Sequence, residues 1–215
     1  MKITKFIHSC LLVEMPEPVN RTALFDPGTF SEQALDVGKL EFLDDIFITH
    51  VHPDHVSLKL MKQLVAKFPD VRITTTAEVA EELAKEGITA STTAPEGVAF
   101  FDAPHESVEP LFETPQEVGI HYLDLLSDPG DSHSFEETKA ILALPMQAPW
   151  GSNLNAVRLA LELQPKHILP IHDWHWSDPA REMSYNQLEE VFAEHDIIFH
   201  KLKTGEPVVI HTEGL

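Results

Sequence analysis

A layered α/β fold is what this 215-residue sequence predicts, and three observations predict it. Short apolar runs of strand character alternate with stretches of helical spacing, the rhythm of strands and helices stacked in layers. Histidine and aspartate fall where those runs end, which is where a layered sandwich presents its site residues. The composition, 43% hydrophobic and 23% charged, is that of a globular chain long enough to bury a substantial core. No linker, internal repeat or low-complexity tract interrupts it, so a single domain over residues 1–215 is expected.

Lys2 to Ile7 alternates polar and apolar and Cys10 to Val13 is a compact apolar run, so two strands joined near His8-Ser9 open the chain. Cys10 is expected to be buried and inert, because no base is paired with it. A proline-containing loop, Met15 to Arg21, leads to a strand from Thr22 to Phe25 that ends at the turn Asp26-Pro27-Gly28. Ile46 to Thr49 is the next apolar run. Leu58, Leu60, Met61, Leu64, Val65 and Phe68 then follow helical spacing up to Pro69-Asp70, with Asp54 placed as a cap for that helix. Val71 to Thr74 reads as a strand, and Thr75-Thr76-Ala77-Glu78 reads as a capping box opening a helix that runs through Lys85 and ends at Gly87.

Val98 to Ala103 is an apolar strand that delivers Pro104-His105-Glu106 at its end. Val118 to Leu126 reads as one strand with a structural His121 inside it, followed by Ser127-Asp128-Pro129-Gly130-Asp131-Ser132. Ala140 to Leu144 precedes an apolar loop, Pro145 to Gly151, whose Met146 and Trp150 either line a substrate pocket or fold onto the core. Ser152 caps a helix carrying Leu154, Val157, Ala160 and Leu161, and Lys166 to Ile171 is a strand ending in His172-Asp173-Trp174-His175-Trp176. Ser184 with Gln187 is read as the cap of a last helix, and Ile197 to Lys201 with Pro207 to Ile210 as a terminal hairpin through Thr204-Gly205.

The formal charge of −20 gives a field that repels phosphate backbones, and no basic patch offsets it, so a nucleic-acid partner is not expected. One cysteine permits no internal disulfide, and no signal segment or membrane-length apolar run is present. A cytoplasmic protein with no membrane partner and a small-molecule substrate is the expectation; the sequence leaves its oligomeric state open. Of the 13 histidines, His195, His200 and His211 sit in ordinary helix or strand patterns and read as surface or core residues.

The densest chemistry lies in Ile48-Thr49-His50-Val51-His52-Pro53-Asp54-His55, where four potential metal ligands fall within six residues. In an extended segment alternate side chains point the same way, so His50 and His52 can reach one ion. Pro53 turns Asp54 and His55 in a new direction, where a second ion fits. Imidazole with carboxylate suits zinc, manganese or iron.

HxHxDH is the signature of the metallo-β-lactamase superfamily, and this sequence resembles it. Motif order and length are closest to the small single-domain branch similar to ascorbate-6-phosphate lactonase. The resemblance implies a four-layer αββα sandwich and a binuclear site. His105 would join His50 and His52 on the first ion. His172, in Pro170-Ile171-His172, would join Asp54 and His55 on the second. Asp131, in the Gly-Asp-Ser turn, would bridge the two; Asp128 is its rival, but Gly130 precedes only Asp131. Asp26 would support the ligand loop through hydrogen bonds, with a plain turn aspartate as the alternative. His8 stands where related proteins carry Gly-His-Ser, with Ile7 in place of the glycine, and reads either as a supporting residue or as a turn histidine.

Such a site implies hydrolysis by a metal-bridged hydroxide, acting on a lactone, ester or amide of a small molecule. Two divalent transition-metal ions are the expected cofactors, zinc first, with Mn2+ or Fe2+ as alternatives. The catalytic roles fall to Asp54 and Asp131 as metal carboxylates and to His175, which is either a proton donor, a substrate contact or structural. A phosphodiesterase of the same fold is the runner-up, and a non-catalytic metal-binding or sensor module is the reading from another class.

Overall fold

The computed structural model describes residues 1–215. In chain order its first half holds strands β1 (Lys2–Lys5), β2 (Leu11–Met15), β3 (Arg21–Phe25) and β4 (Asp45–Phe47), helix α1 (Leu58–Lys67), strand β5 (Arg72–Thr74) and helix α2 (Ala77–Lys85). Then follow β6 (Val98–Phe101), β7 (Gly119–Tyr122), β8 (Leu126–Asp128), β9 (Ile141–Pro145), α3 (Asn153–Leu163), β10 (His167–Ile171), α4 (Asp178–Ala193), β11 (Ile198–Phe199) and β12 (Pro207–Val209).

These elements form two compact units, and the chain passes between them more than once. One comprises Met1–Glu96, Pro115–Glu117 and Lys203–Glu213, the other Gly97–Thr114, Val118–Leu202 and Gly214–Leu215. The first unit is a mixed sheet of order β12-β1-β2-β3-β4-β5 with α1 and α2. The second is a mixed sheet of order β11-β10-β9-β8-β7-β6 with α3 and α4.

Apolar periodicity explains each half. In α1 the spacing of Leu60, Met61 and Leu64 makes one buried stripe, which packs with Leu24, Ile46 and Ile48 of the first sheet. The intervening strand residues Leu11, Val13, Ala23, Phe25 and Phe47 are buried too, so this sheet is apolar on both faces. In the second unit Ala156 and Ala160 of α3 and Leu188 and Phe192 of α4 pack with Leu142, Leu144 and Ile168. Met146 is fully buried in that cluster, which places it in the core. Cys10 is buried, and desolvation pushes its thiol pKa up, so it is inert as expected.

Strand direction sets where the loops gather. β3, β4 and β5 run parallel, with Phe25 opposite Phe47 and Phe47 opposite Thr74, so their C-terminal ends lie along one edge. β2 is antiparallel to β3 with Leu11 opposite Phe25, which brings the β1–β2 turn to the same edge. In the second unit β8, β9 and β10 are parallel, with Leu126 opposite Ile141 and Ile171 opposite Pro145. The loops leaving these strands again share one edge, the usual location of sites in parallel sheets.

Five local expectations are corrected. The cap of α1 is Ser57, whose hydroxyl accepts from Leu60 N–H at 3.2 Å, and Asp54 lies in the preceding turn. The cap of α2 is Thr76, one residue later than expected: its hydroxyl accepts from Val79 N–H at 3.3 Å, while the Thr75 hydroxyl donates to the Ile48 carbonyl at 2.8 Å. Val118 to Leu126 is two strands, β7 and the start of β8, since Leu123 (φ 52°) and Asp124 (φ 57°) are both left-handed and reverse the chain as a tight hairpin turn. α4 begins at Ser177, which caps Ala180 N–H with Pro179 in the first turn, so Ser184 is mid-helix. The terminal hairpin does not form: β11 pairs parallel with β10, and β12 pairs antiparallel with β1.

Candidate metal centre

The parallel register of β3 and β4 builds the first ligand cluster. Asp26 follows β3 directly, and its backbone N–H donates to the Phe47 carbonyl at 2.9 Å, which extends the ladder by one residue. Its buried carboxylate therefore meets the chain leaving β4. Asp26 Oδ1 accepts from Thr49 N–H at 2.8 Å, and Oδ2 accepts from the Thr49 hydroxyl at 2.8 Å and faces His55 Nδ1 at 2.7 Å. Asp26 therefore supports the chain leaving β4 through hydrogen bonds, as expected, and Thr49 is a member of the network that sequence reasoning did not single out.

Gly28 completes the docking of that loop. A Cβ there would lie 1.7 Å from the Asp54 carbonyl oxygen and 2.7 Å from His55 N, so only glycine lets the two backbones approach. Thr29 N–H donates to Pro53 O at 2.8 Å and Ser57 N–H to Pro27 O at 2.9 Å, fixing the loop at both ends.

His50 and His52 come together as alternation in an extended segment requires: His50 Nε2 and His52 Nδ1 are 3.2 Å apart. Two nitrogens bound tetrahedrally to one zinc at about 2.05 Å would be about 3.3 Å apart. His50 Nδ1 faces Glu117 Oε2 at 2.9 Å, with both side chains fully buried. Glu117 is a second residue that sequence reasoning missed, because it lies in a short irregular segment with no pattern around it. Asp54 and His55 have ligand atoms within 4.8 Å of one another, and His8 joins them.

The second unit carries the other named residues. His105 leaves the end of β6, Asp131 follows β8, and His172 follows β10 directly. Asp131 Oδ2 lies 3.1 Å from His172 Nε2 and 3.7 Å from His105 Nε2, one carboxylate oxygen between two imidazoles. Asp128, its rival, points its Oδ1 at Gly130 N–H at 3.1 Å and closes the turn. His172 Nδ1 is 2.8 Å from the Gln147 carbonyl, and His105 Nδ1 is 2.6 Å from the Glu106 carbonyl.

These anchors fix the tautomers. An ionised carboxylate or a carbonyl can only accept, so His50, His55, His105 and His172 each donate from Nδ1, and in the neutral imidazole Nε2 is then the nitrogen that offers a lone pair. A lone pair at His172 Nε2 facing a carboxylate oxygen at 3.1 Å attracts it only with a cation between them, a proton or a metal ion. Buried imidazole lone pairs with a shared carboxylate are the donor set of a transition-metal site, so the residues fit such an ion.

Trp150 stands beside this cluster, its ring 5.4 Å from that of His172 and 6.3 Å from that of His105. His133 packs edge-on against the same indole at 5.2 Å and faces the Pro145 carbonyl through Nε2 at 2.8 Å; burial lowers its pKa. His175 is exposed, with its ring stacked 6.1 Å from that of His172. The loop bearing both is strapped to α4: Asp173 Oδ2 accepts from Arg181 Nε at 2.9 Å and from the Tyr185 hydroxyl at 2.5 Å. His121 is not near these residues in role; it stacks on Phe101 at 4.1 Å and bonds Ser127 at 2.9 Å, a structural place.

Comparison with known proteins agrees with this chemistry. The family model described as the metallo-beta-lactamase superfamily matches residues 3–135. Protein Rv0786c of Mycobacterium tuberculosis is 30% identical over 204 residues, covering 89% of this chain and 92% of that protein. Among solved structures, Igni18, a metallo hydrolase from the archaeon Ignicoccus hospitalis, superposes with a TM-score of 0.70 at 20% identity, over 98% of each chain. An isothiocyanate hydrolase from Delia radicum gut bacteria superposes with a TM-score of 0.64 at 17% identity, over 98% of this chain and 99% of that one. These likenesses bear out the α/β sandwich class expected from the sequence. From the span of the family match and the likeness to the mycobacterial protein, the chain belongs to the metallo-β-lactamase superfamily.

Proposed function

We propose that this protein is a binuclear metal-dependent hydrolase of a small-molecule lactone, ester or amide, with zinc as its native metal. One observation supports the reading: four buried histidines have Nδ1 tied to a carboxylate or carbonyl, the anchoring that turns the Nε2 of a neutral imidazole toward a metal ion. His50, His52 and His105 would hold one ion, Asp54, His55 and His172 the other, and Asp131 both. When bound, such ions supply Lewis acidity, which lowers the pKa of water and neutralises a developing oxyanion.

The chain's own residues supply the rest. Asp26 and Glu117 hold His55 and His50 in the tautomer and orientation a ligand needs. Trp150 offers an apolar wall next to His172 and His105, suited to an uncharged substrate. The formal charge of −20 disfavours a polyanion, which supports a small ester or lactone over nucleic acid. The exposed ring of His175, 6.1 Å from that of His172, supports a proton-donor role toward the leaving group.

Metal analysis combined with a panel of chromogenic ester, lactone, amide and phosphodiester substrates tests this. About two transition-metal ions per chain and turnover of an ester or lactone are the expected results. A phosphodiester as the preferred substrate would move the reading to the runner-up, and full metal content without any turnover would favour a sensor. For His175→Ala, kcat should fall markedly with a poor leaving group and little with an activated aryl ester, at unchanged metal content. An equal loss on both would make His175 a pocket residue.

A further inference from the structure

The turn between β1 and β2 holds a side chain that the ligand assignment does not use. His8 is fully buried and adopts φ 67°, the left-handed region that residues with a Cβ enter at a cost. That conformation is imposed by its neighbours. Ser31 grips the preceding residue through both backbone groups: its Oγ accepts from Ile7 N–H at 3.1 Å and donates to the Ile7 carbonyl at 2.8 Å. The Phe30 ring packs edge-on against the imidazole at 5.2 Å, and the His55 ring does the same at 5.7 Å.

This cradle brings the ring to Asp54. His8 Nε2 lies 3.1 Å from Asp54 Oδ2. An ionised carboxylate accepts only, so Nε2 carries the proton and donates. Closing the β1–β2 turn accounts for the left-handed backbone, but not for the full burial of the ring or its approach to a carboxylate 46 residues away. Backbone strain held in place by specific partners beside a ligand residue is the pattern of a preorganised site.

We propose that His8 is a positioning residue that fixes the Asp54 carboxylate for the ion Asp54 holds, a role that rests on the metal assignment proposed above. By engaging Oδ2, the imidazole restrains the carboxylate from rotating, and Asp54 would then meet an ion in one orientation. Ligating carboxylates are themselves hydrogen-bonded in metal sites, and loss of such a partner weakens metal affinity about 10- to 100-fold. Ser31 acts one step further out, because it sets the backbone from which His8 reaches.

Zinc titration of the chelator-stripped protein tests the idea in His8→Ala and His8→Gln, since the glutamine amide nitrogen reaches the place of Nε2. His8→Ala should weaken one zinc site about 10- to 100-fold and leave the other unchanged. His8→Gln should recover most of that loss, which a purely structural role would not produce, and thermal unfolding of both variants monitors the fold. Unchanged zinc affinity in both variants would overturn the proposal. Equal losses in both, with an altered absorption spectrum of the cobalt-loaded protein, would make His8 a ligand and overturn it as well. Failure of the unaltered protein to bind zinc would overturn this proposal together with the reading on which it rests.

Discussion

Asp131 is the residue on which the two ligand clusters are expected to depend together. Its Oδ2 lies within 3.1 Å of His172 Nε2 and 3.7 Å of His105 Nε2. Asp131→Ala should therefore release or weaken both ions, whereas His105→Ala should weaken chiefly one, as read by metal content after dialysis. Equal contents in the two variants would contradict the assignment. Asp26 acts through hydrogen bonds alone, accepting from Thr49 twice and orienting His55. Asp26→Ala should lower metal affinity about 10- to 100-fold and also cost about 1–3 kcal/mol of stability, because buried donors lose their acceptor. Metal titration and denaturant unfolding measure the two effects separately; a stability loss with unaltered affinity would reduce Asp26 to a fold residue.

Elements matter here chiefly through the edges they create. Parallel pairing of β3, β4 and β5 brings Asp26 beside Thr49, and parallel pairing of β8, β9 and β10 brings Asp131, Gln147 and His172 to one end of the second sheet. The loop after β4 then needs a floor, which is the turn at Gly28. Gly28→Ala would place a methyl group 1.7 Å from the Asp54 carbonyl oxygen, a backbone atom that cannot move alone. The expected result is a loss of more than about 2 kcal/mol of stability, with zinc affinity falling in parallel as Asp54 and His55 shift. Calorimetric unfolding of the metal-free variant, followed by zinc titration, checks both. An unaltered melting temperature would show that the turn yields without disturbing the ligands.

For the whole molecule, pH and charge give the sharpest expectation. His167 and His200 meet at 3.0 Å where β10 begins and β11 ends. Burial lowers both pKa values, that of His200 from 6.5 to about 4, with the neighbouring Lys166 adding to the shift of His167 and His167 to that of His200. A histidine depressed in the folded state binds its proton more readily when unfolded. Its contribution to stability is thus complete above pH 6.5 and is lost as pH falls toward about 4. The melting temperature should decline across that window, and His200→Gln should flatten the decline; an unchanged slope would place the acid sensitivity elsewhere. The net charge of −20 adds a second dependence, since salt screens self-repulsion.

What the sequence determined by itself was local: apolar runs gave the strand and helix positions, and the dense HxHxDH stretch, with His105, Asp131 and His172 at later strand ends, gave the family and the residues proposed as its ligands. Ligand density and periodicity are properties of neighbouring residues, so they are legible without a fold. What the tertiary structure decided depends on residues far apart in the chain. Glu117 meets His50 across 67 positions, and His8 meets Asp54 across 46, and no pattern near either residue announces the pairing. The ends of β11 and β12 read as a hairpin in sequence, yet each pairs with an open edge, β10 or β1, that only the folded sheets provide. Hydrogen-bond satisfaction is global, and it overrides local preference wherever a distant partner exists.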